Sequence, residues 1–202
     1  MATKGTDTLL IIFTKNPTLG RVKTRLAKTL GDEKALSIFK KLLAKAEKTA
    51  SEWNGDLWVF YADFLPGKDL WSTVALQKFL QKGDGLGDRM THAFEKGLAA
   101  YEKVVLIGTD IPAITVQIIE EAFSQLERHD FVIGPTFDGG YFLIGMKANH
   151  FFVFRDMKWS TPFVFRQTIH KIQGQQCSVY SLDPLMDIDY ESDLVGFEWL
   201  LE

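Results

Sequence analysis

The chain has 202 residues, 46% of them hydrophobic and 24% charged, with 23 Lys plus Arg against 26 Asp plus Glu and a net charge of -3. This composition suits one folded domain over residues 1–202 with a sizeable core, and its slight acidity argues against a nucleic-acid partner. No apolar run approaches the ~18 residues of a membrane span. A single cysteine, Cys177, allows neither an internal disulfide nor a cysteine-based zinc site. Met1–Asp7 does not resemble a secretory leader, so a cytoplasmic location is expected.

The elements follow in chain order. Leu9–Phe13 is an unbroken apolar run bounded by polar residues, which predicts a strand buried on both faces. The residues after Gly20 read as a helix. From Asp32 onward, Ala35, Ile38, Phe39, Leu42, Leu43 and Ala46 share one helical face, with Lys40, Lys41, Lys45 and Lys48 off it. Leu57–Tyr61 reads as a second strand and Leu76–Leu80 as a strand-like run. Leu86–Tyr101 reads as a helix, Val104–Ile107 as a strand. Ile119, Ala122, Phe123 and Leu126 form another helical stripe, with Arg128 and His129 near its end. Phe131–Ile133 and Phe142–Ile144 are further strands, and the aromatic-rich Met146–Pro162 reads as an irregular excursion or lid. Strands alternating with helices predict an α/β fold, a three-layer sandwich around a mostly parallel, Rossmann-like sheet.

Ligands of such sheets bind beyond the carboxyl ends of the strands. Leu9–Phe13 runs into Lys15-Asn-Pro-Thr-Leu-Gly20-Arg21-Val-Lys23-Thr-Arg25, a cationic loop at a helix start. Free N–H groups, the helix dipole and basic side chains all favour phosphate there. The single glycine excludes both a P-loop and a dinucleotide fingerprint, and a solvated basic turn is the plain alternative. In a helix Arg21 and Arg25 would share a face and Lys23 would lie on another, so the four cations would not all meet one ligand. Val104–Ile107 runs into Gly108-Thr109-Asp110, where Asp110 is either a cap or a metal-binding carboxylate. Asp138-Gly139-Gly140 between two apolar runs is a hairpin signal. It would also present Asp138 at the same rim, with space beside the glycines for a flat group or a sugar.

Asp187 and Asp189 precede a helix start carrying Glu191 and Asp193, and are either a solvated acidic cap or metal ligands pointing one way. Gly83, Gly85 and Gly87, followed by Arg89, mark a loop able to approach a ligand closely, or an ordinary flexible connection. His92, His129, His150 and His170 lack metal spacing, and no G-x-S-x-G elbow is present.

In order, Lys15-Asn-Pro-x-x-Gly20-x-Val-Lys23-Thr-Arg25-Leu-Ala, Gln81-x-Gly83-x-x-Leu86-Gly87-x-Arg89-Met90, Gly108-Thr109-Asp110-x-Pro112, Gly134-Pro135-x-x-Asp138-Gly139-Gly140-Tyr141-x-Leu143-Ile144-Gly145, Trp159-Ser160-Thr161 and Asp187-Ile188-Asp189-x-x-x-Asp193-Leu194 resemble the bacterial DUF2064 family. That family belongs to the nucleotide-diphospho-sugar transferase superfamily, of GT-A fold. The resemblance runs from Leu9 to Leu194.

It implies a glycosyltransferase using a nucleotide-diphospho-sugar donor and Mg²⁺ or Mn²⁺. The superfamily's nucleotidyltransferases, which join a nucleoside triphosphate to a phosphorylated acceptor, and a non-catalytic nucleotide-binding protein are the alternatives. Donor binding is then expected at Lys15, Gly20, Arg21, Lys23, Arg25, Gly85, Arg89, Gly139 and Gly140. The metal is expected at Asp110 with Asp189 or Asp187, and catalysis at Asp110 and Asp138, the latter as acceptor base. Asp189 is the clearest carry-over, because Tyr190 and Ser192 depart from the nucleotidyltransferase pattern. The partners implied are a nucleotide sugar or nucleoside triphosphate and a small-molecule acceptor. The Trp159–Thr161 segment is expected to close over the acceptor.

Overall fold

The computed structural model describes residues 7–202; the Met1–Asp7 stretch, expected not to be a secretory leader, falls, apart from Asp7, outside the described residues. The strands are β1 (Thr8–Thr14), β2 (Asp56–Tyr61), β3 (Gln77–Leu80), β4 (Lys103–Ile107), β5 (Phe131–Pro135), β6 (Tyr141–Met146) and β7 (Val179–Ser181). The α-helices are α1 (Thr24–Leu30), α2 (Asp32–Glu52), α3 (Leu86–Leu98), α4 (Val116–Leu126) and α5 (Val164–Gly174). The strands form one seven-stranded sheet in the order β3-β2-β1-β4-β6-β5-β7. Only β6 runs against its neighbours β4 and β5. The carboxyl ends of β1, β4 and β5 therefore share one rim.

The unbroken apolar runs are explained by two covered faces. Alternate residues point opposite ways along a strand. Leu10 and Ile12 meet Phe39, Leu43 and Ala46 of α2, in a layer that also holds Ile119 and Phe123 of α4. Leu9 and Ile11 face the other way, into a layer with Met90, Ala93 and Phe94 of α3 and Ile172 of α5. No helix among the described residues is long and apolar enough to cross a membrane.

Four expectations need correction. The first helix starts at Thr24 rather than after Gly20; Lys23, in the left-handed region at φ 46° and ψ 44°, precedes it. Arg21 is thus outside the helix, and the facing rule applied to Arg21, Lys23 and Arg25 does not hold. The helix from Leu86 stops at Leu98, where Ala99, Ala100 and Tyr101 turn off. The acidic C-terminal stretch forms a short 3-10 turn, Glu191–Leu194.

The Met146–Pro162 segment is tied down rather than free. Its 3-10 turn Phe151–Phe154 buries Val153 and Phe154 in the layer with α3.

After β7 the chain returns along the rim. The N–H of Leu185 donates to the carbonyl of Pro135 at 3.1 Å, and that of Ile188 to the carbonyl of Asp110 at 3.1 Å. Ile188, Leu194 and Leu200 then bury themselves against Leu26 of α1 and Ile38 and Leu42 of α2.

Candidate functional site

A cleft of about 610 Å³ opens at this rim, with Lys15, Lys23, Arg25, Arg89, Asp110 and Asp189 in its walls. Its cationic loop is fixed from both ends. Asn16, buried, accepts from the N–H of Phe64 at 3.2 Å, and its own N–H donates to Asp63 at 3.3 Å. Val22 is buried in the core layer that contains Phe39. Between them Gly20 turns at φ 71°, a backbone that side chains disfavour.

Lys23 is the centre of the electrostatics. Its Nζ lies 2.9 Å from Oδ2 of Asp110 and 3.2 Å from Oδ1 of Asp189. Nη1 of Arg25 lies 2.7 Å from Oδ2 of Asp189, with its guanidinium over the Tyr190 ring. Burial works against the Lys23 ammonium, but the Asp110 and Asp189 carboxylates outweigh it and hold its pKa above the ordinary lysine value.

Asp187 occupies a different position. Burial first, then the carboxylate of Asp138 and more weakly that of Asp189, push it up to about 6, with Lys23 opposing. Its carboxyl thus feels charges of both the hairpin and the Lys23 clamp.

The hairpin is tightly built. Oδ1 of Asp138 accepts from the Thr136 hydroxyl at 2.5 Å and from the Gly140 N–H at 2.9 Å. The space expected beside Gly139 is filled by protein: a Cβ there would stand 2.1 Å from the Pro162 carbonyl oxygen, at a φ of +88°. The N–H of Phe165 also donates to the Gly139 carbonyl at 2.9 Å. A flat group or a sugar has no room on that side, and Gly139 serves the packing of the hairpin against Pro162. A Cβ on Gly140 would lie 3.0 Å from Oγ1 of Thr136.

The remaining expected residues divide. Gly20, Arg21, Gly85, Asp138, Gly139, Gly140 and Asp187 are not among the residues that line the cleft. Gly85 precedes α3, with nothing within 4 Å of where a Cβ would stand, while Nε of Arg89 folds back to the Gly83 carbonyl at 3.2 Å. Trp159 packs against Gly87 at the start of α3 and edge-on to Tyr141, leaving Ser160 in the cleft wall.

Gln81 joins the cleft in addition to the residues expected there. Its Nε2 donates to the carbonyls of Thr14 and Phe60, at 3.4 and 3.1 Å, and it lines the cleft. A polar side chain placed directly after an apolar strand run was the available signal.

Among the described residues no group of three or more His, Cys, Asp or Glu side chains forms a ready metal cage. Mg²⁺ is commonly held by one or two carboxylates together with substrate phosphates. Asp110 and Asp189, brought together on one lysine, fit that second arrangement.

Sheet order, the single reversed strand and a rim cleft with clamped carboxylates define an α/β domain of nucleotide-diphospho-sugar transferase fold. The chain belongs to the family described as "Uncharacterized protein conserved in bacteria (DUF2064)", whose model matches residues 44–161.

A structure from Desulfovibrio desulfuricans G20, provisionally named a nucleotide-diphospho-sugar transferase, is 29% identical, covers 95% of this chain and 86% of its own, and superposes with a TM-score of 0.85. The 4-diphosphocytidyl-2C-methyl-D-erythritol synthase of Anaerococcus prevotii DSM 20548 shares the fold at a TM-score of 0.62 and 10% identity, over 98% of this chain and 97% of its own. The inositol-1-phosphate CTP transferase of T. maritima shares it at 0.58 and 14%, over 99% and 96%. Among curated proteins none matches.

Proposed function

We propose that this chain is a transferase whose donor is a nucleotide-diphospho-sugar, bound with its phosphates in the rim cleft. The observation that carries this reading is the meeting of Lys15, Lys23, Arg25 and Arg89 with Asp110 and Asp189 in one cavity at the carboxyl ends of β1 and β4. A dianionic diphosphate needs several fixed donors, and four cations around one cleft supply them.

Asp110 and Asp189, with the donor phosphates, would hold Mg²⁺ or Mn²⁺, which supplies Lewis-acid neutralisation of charge on the leaving phosphate. Lys15, Arg25 and Arg89 bind and orient the diphosphate from the loop and α3 sides. On this reading Asp138, although outside the cleft lining, is the acceptor base. Its Oδ1 is committed to the hairpin, so Oδ2 is the atom that takes the acceptor proton.

A second reading, nucleotidyl transfer with release of pyrophosphate, is favoured by one feature. A single carboxylate, Asp110, follows β4, and its partner Asp189 arrives from the C-terminal segment.

A thermal-shift and turnover panel separates the readings. Nucleoside triphosphates and nucleotide sugars are compared with and without Mn²⁺. Stabilisation by nucleotide sugars with sugar transfer supports the proposal. Pyrophosphate release from a triphosphate supports the second reading instead. Binding with no turnover on any acceptor marks a non-catalytic nucleotide-binding protein, and no nucleotide binding at all overturns all three.

A further inference from the structure

Lys23 stands against the two carboxylates that a divalent ion would need. Both oxygens of Asp189 are engaged, Oδ1 by Lys23 at 3.2 Å and Oδ2 by Arg25 at 2.7 Å, and Oδ2 of Asp110 is engaged by Lys23 at 2.9 Å. The Lys23 side chain is 4% exposed, against 45% for Asp110 and 30% for Asp189. The carboxylates therefore reach solvent while the ammonium bridging them does not. Nor is Lys23 a loose surface residue that happened to fold inward. Its backbone is left-handed at φ 46°, a conformation uncommon for a residue with a Cβ, and its carbonyl accepts the N–H of Ala27 at 2.9 Å to open α1. Asp189 is held from its own side by Asp193, whose Oδ2 accepts the Asp189 N–H at 3.0 Å.

We propose that Lys23 is an internal competitor for the metal, keeping Asp110 and Asp189 closed to a divalent ion until donor phosphate arrives. This rests on the metal reading of those two carboxylates given above. A dication on Asp189 would sit beside two fixed positive charges, and like charges at that range repel strongly in a partly buried site. Incoming phosphate oxygens change that balance. Lys23 and Arg25 then have a second anion to serve, and the carboxylate oxygens are released. Metal and nucleotide thus bind with positive coupling, and each raises the affinity of the other by the same factor. The arrangement keeps the site from collecting metal when no donor is present.

The test is Mn²⁺ binding to the nucleotide-free protein, followed by electron paramagnetic resonance of the free ion. Wild type is compared with Lys23→Met, which keeps the apolar stem and removes the charge. The expected result is at least tenfold tighter binding of one ion per chain by Lys23→Met, and loss of that gain in Lys23→Met/Asp110→Asn. Mn²⁺ should also raise the melting temperature of Lys23→Met and leave wild type unmoved. A side chain with a purely structural role would not gain metal affinity on removal.

Equal, tight Mn²⁺ binding by both proteins overturns the competition and leaves the metal reading standing. No binding by either, with nucleotide or without, overturns both. If Lys23→Met does not fold, Lys23→Gln takes its place. The wild-type titration also stands alone, since tight Mn²⁺ binding without nucleotide overturns the proposal.

Discussion

The N–H of Ile188 donates to the carbonyl oxygen of Asp110 across 3.1 Å, joining the C-terminal segment to the end of the sheet's central strand β4. Through this bond Asp189 comes to lie beside Asp110, and one lysine can reach both. The Ile188 side chain is fully buried against Leu26, Ile38 and Leu42. Ile188→Ala should therefore cost about 2–5 kcal/mol, the range for emptying a buried aliphatic position. It should also weaken nucleotide binding in the presence of Mn²⁺ more than a distant substitution of equal stability cost. Urea unfolding and calorimetry on the same preparation check both halves, and nucleotide affinity that stays at the wild-type value would separate Ile188 from the cleft.

Arg25 gives a cleaner reading of phosphate recognition. It is nearly half exposed, so its pair with Asp189 adds little to folding, under about 1 kcal/mol. A charge-assisted contact to a phosphate is worth roughly 1.5–3 kcal/mol. Arg25→Ala should then bind a nucleoside diphosphate about tenfold or more weakly while binding the nucleoside unchanged. Equal loss for both ligands would remove Arg25 from the phosphate site.

Gly139 tests the hairpin. Any Cβ at that position meets the Pro162 carbonyl at 2.1 Å, and φ +88° disfavours it before contact is considered. Gly139→Ala should destabilise by at least about 1–3 kcal/mol, with the melting temperature as the measure. A melting temperature equal to wild type would show that the backbone at Pro162 yields freely.

Asp69 supplies a pH dependence away from the cleft. Burial works to raise its carboxyl, but hydrogen bonds from Lys78, Tyr61 and Ser72 outweigh burial and hold it below its ordinary value of 3.8. A carboxyl depressed in the folded state contributes stability that is present above its unfolded pKa. That stability is lost as pH falls from about 4 through the lower folded value. Asp69→Asn should be less stable than wild type at pH 7, and the gap should close in the acid limb. Denaturant midpoints between about pH 7 and pH 2 measure it; a gap that stays constant across that limb would rule out the linkage.

Much of this molecule was legible in the chain itself. Buried strands announce themselves as unbroken apolar runs, and α2 shows its apolar stripe residue by residue, because local periodicity reports which faces are covered. The cationic loop could be read as lying past β1, and Asp110 past β4, for the same local reason. The start of the first helix could not be read. Lys23 adopts a left-handed backbone that propensity disfavours, and its ammonium meets two carboxylates far away in the sequence. Nor could the sequence tell that the glycine beside Asp138 makes room for Pro162 instead of a ligand.

Residue types and their order thus determined the layered sheet, the rim and the candidate charges upon it. Tertiary structure alone decided which charges meet: Lys23 with Asp110 and Asp189, and Asp187 near Asp138. Pairing of that kind depends on how segments far apart in the chain cross the rim, and such crossings leave no periodic trace in the sequence.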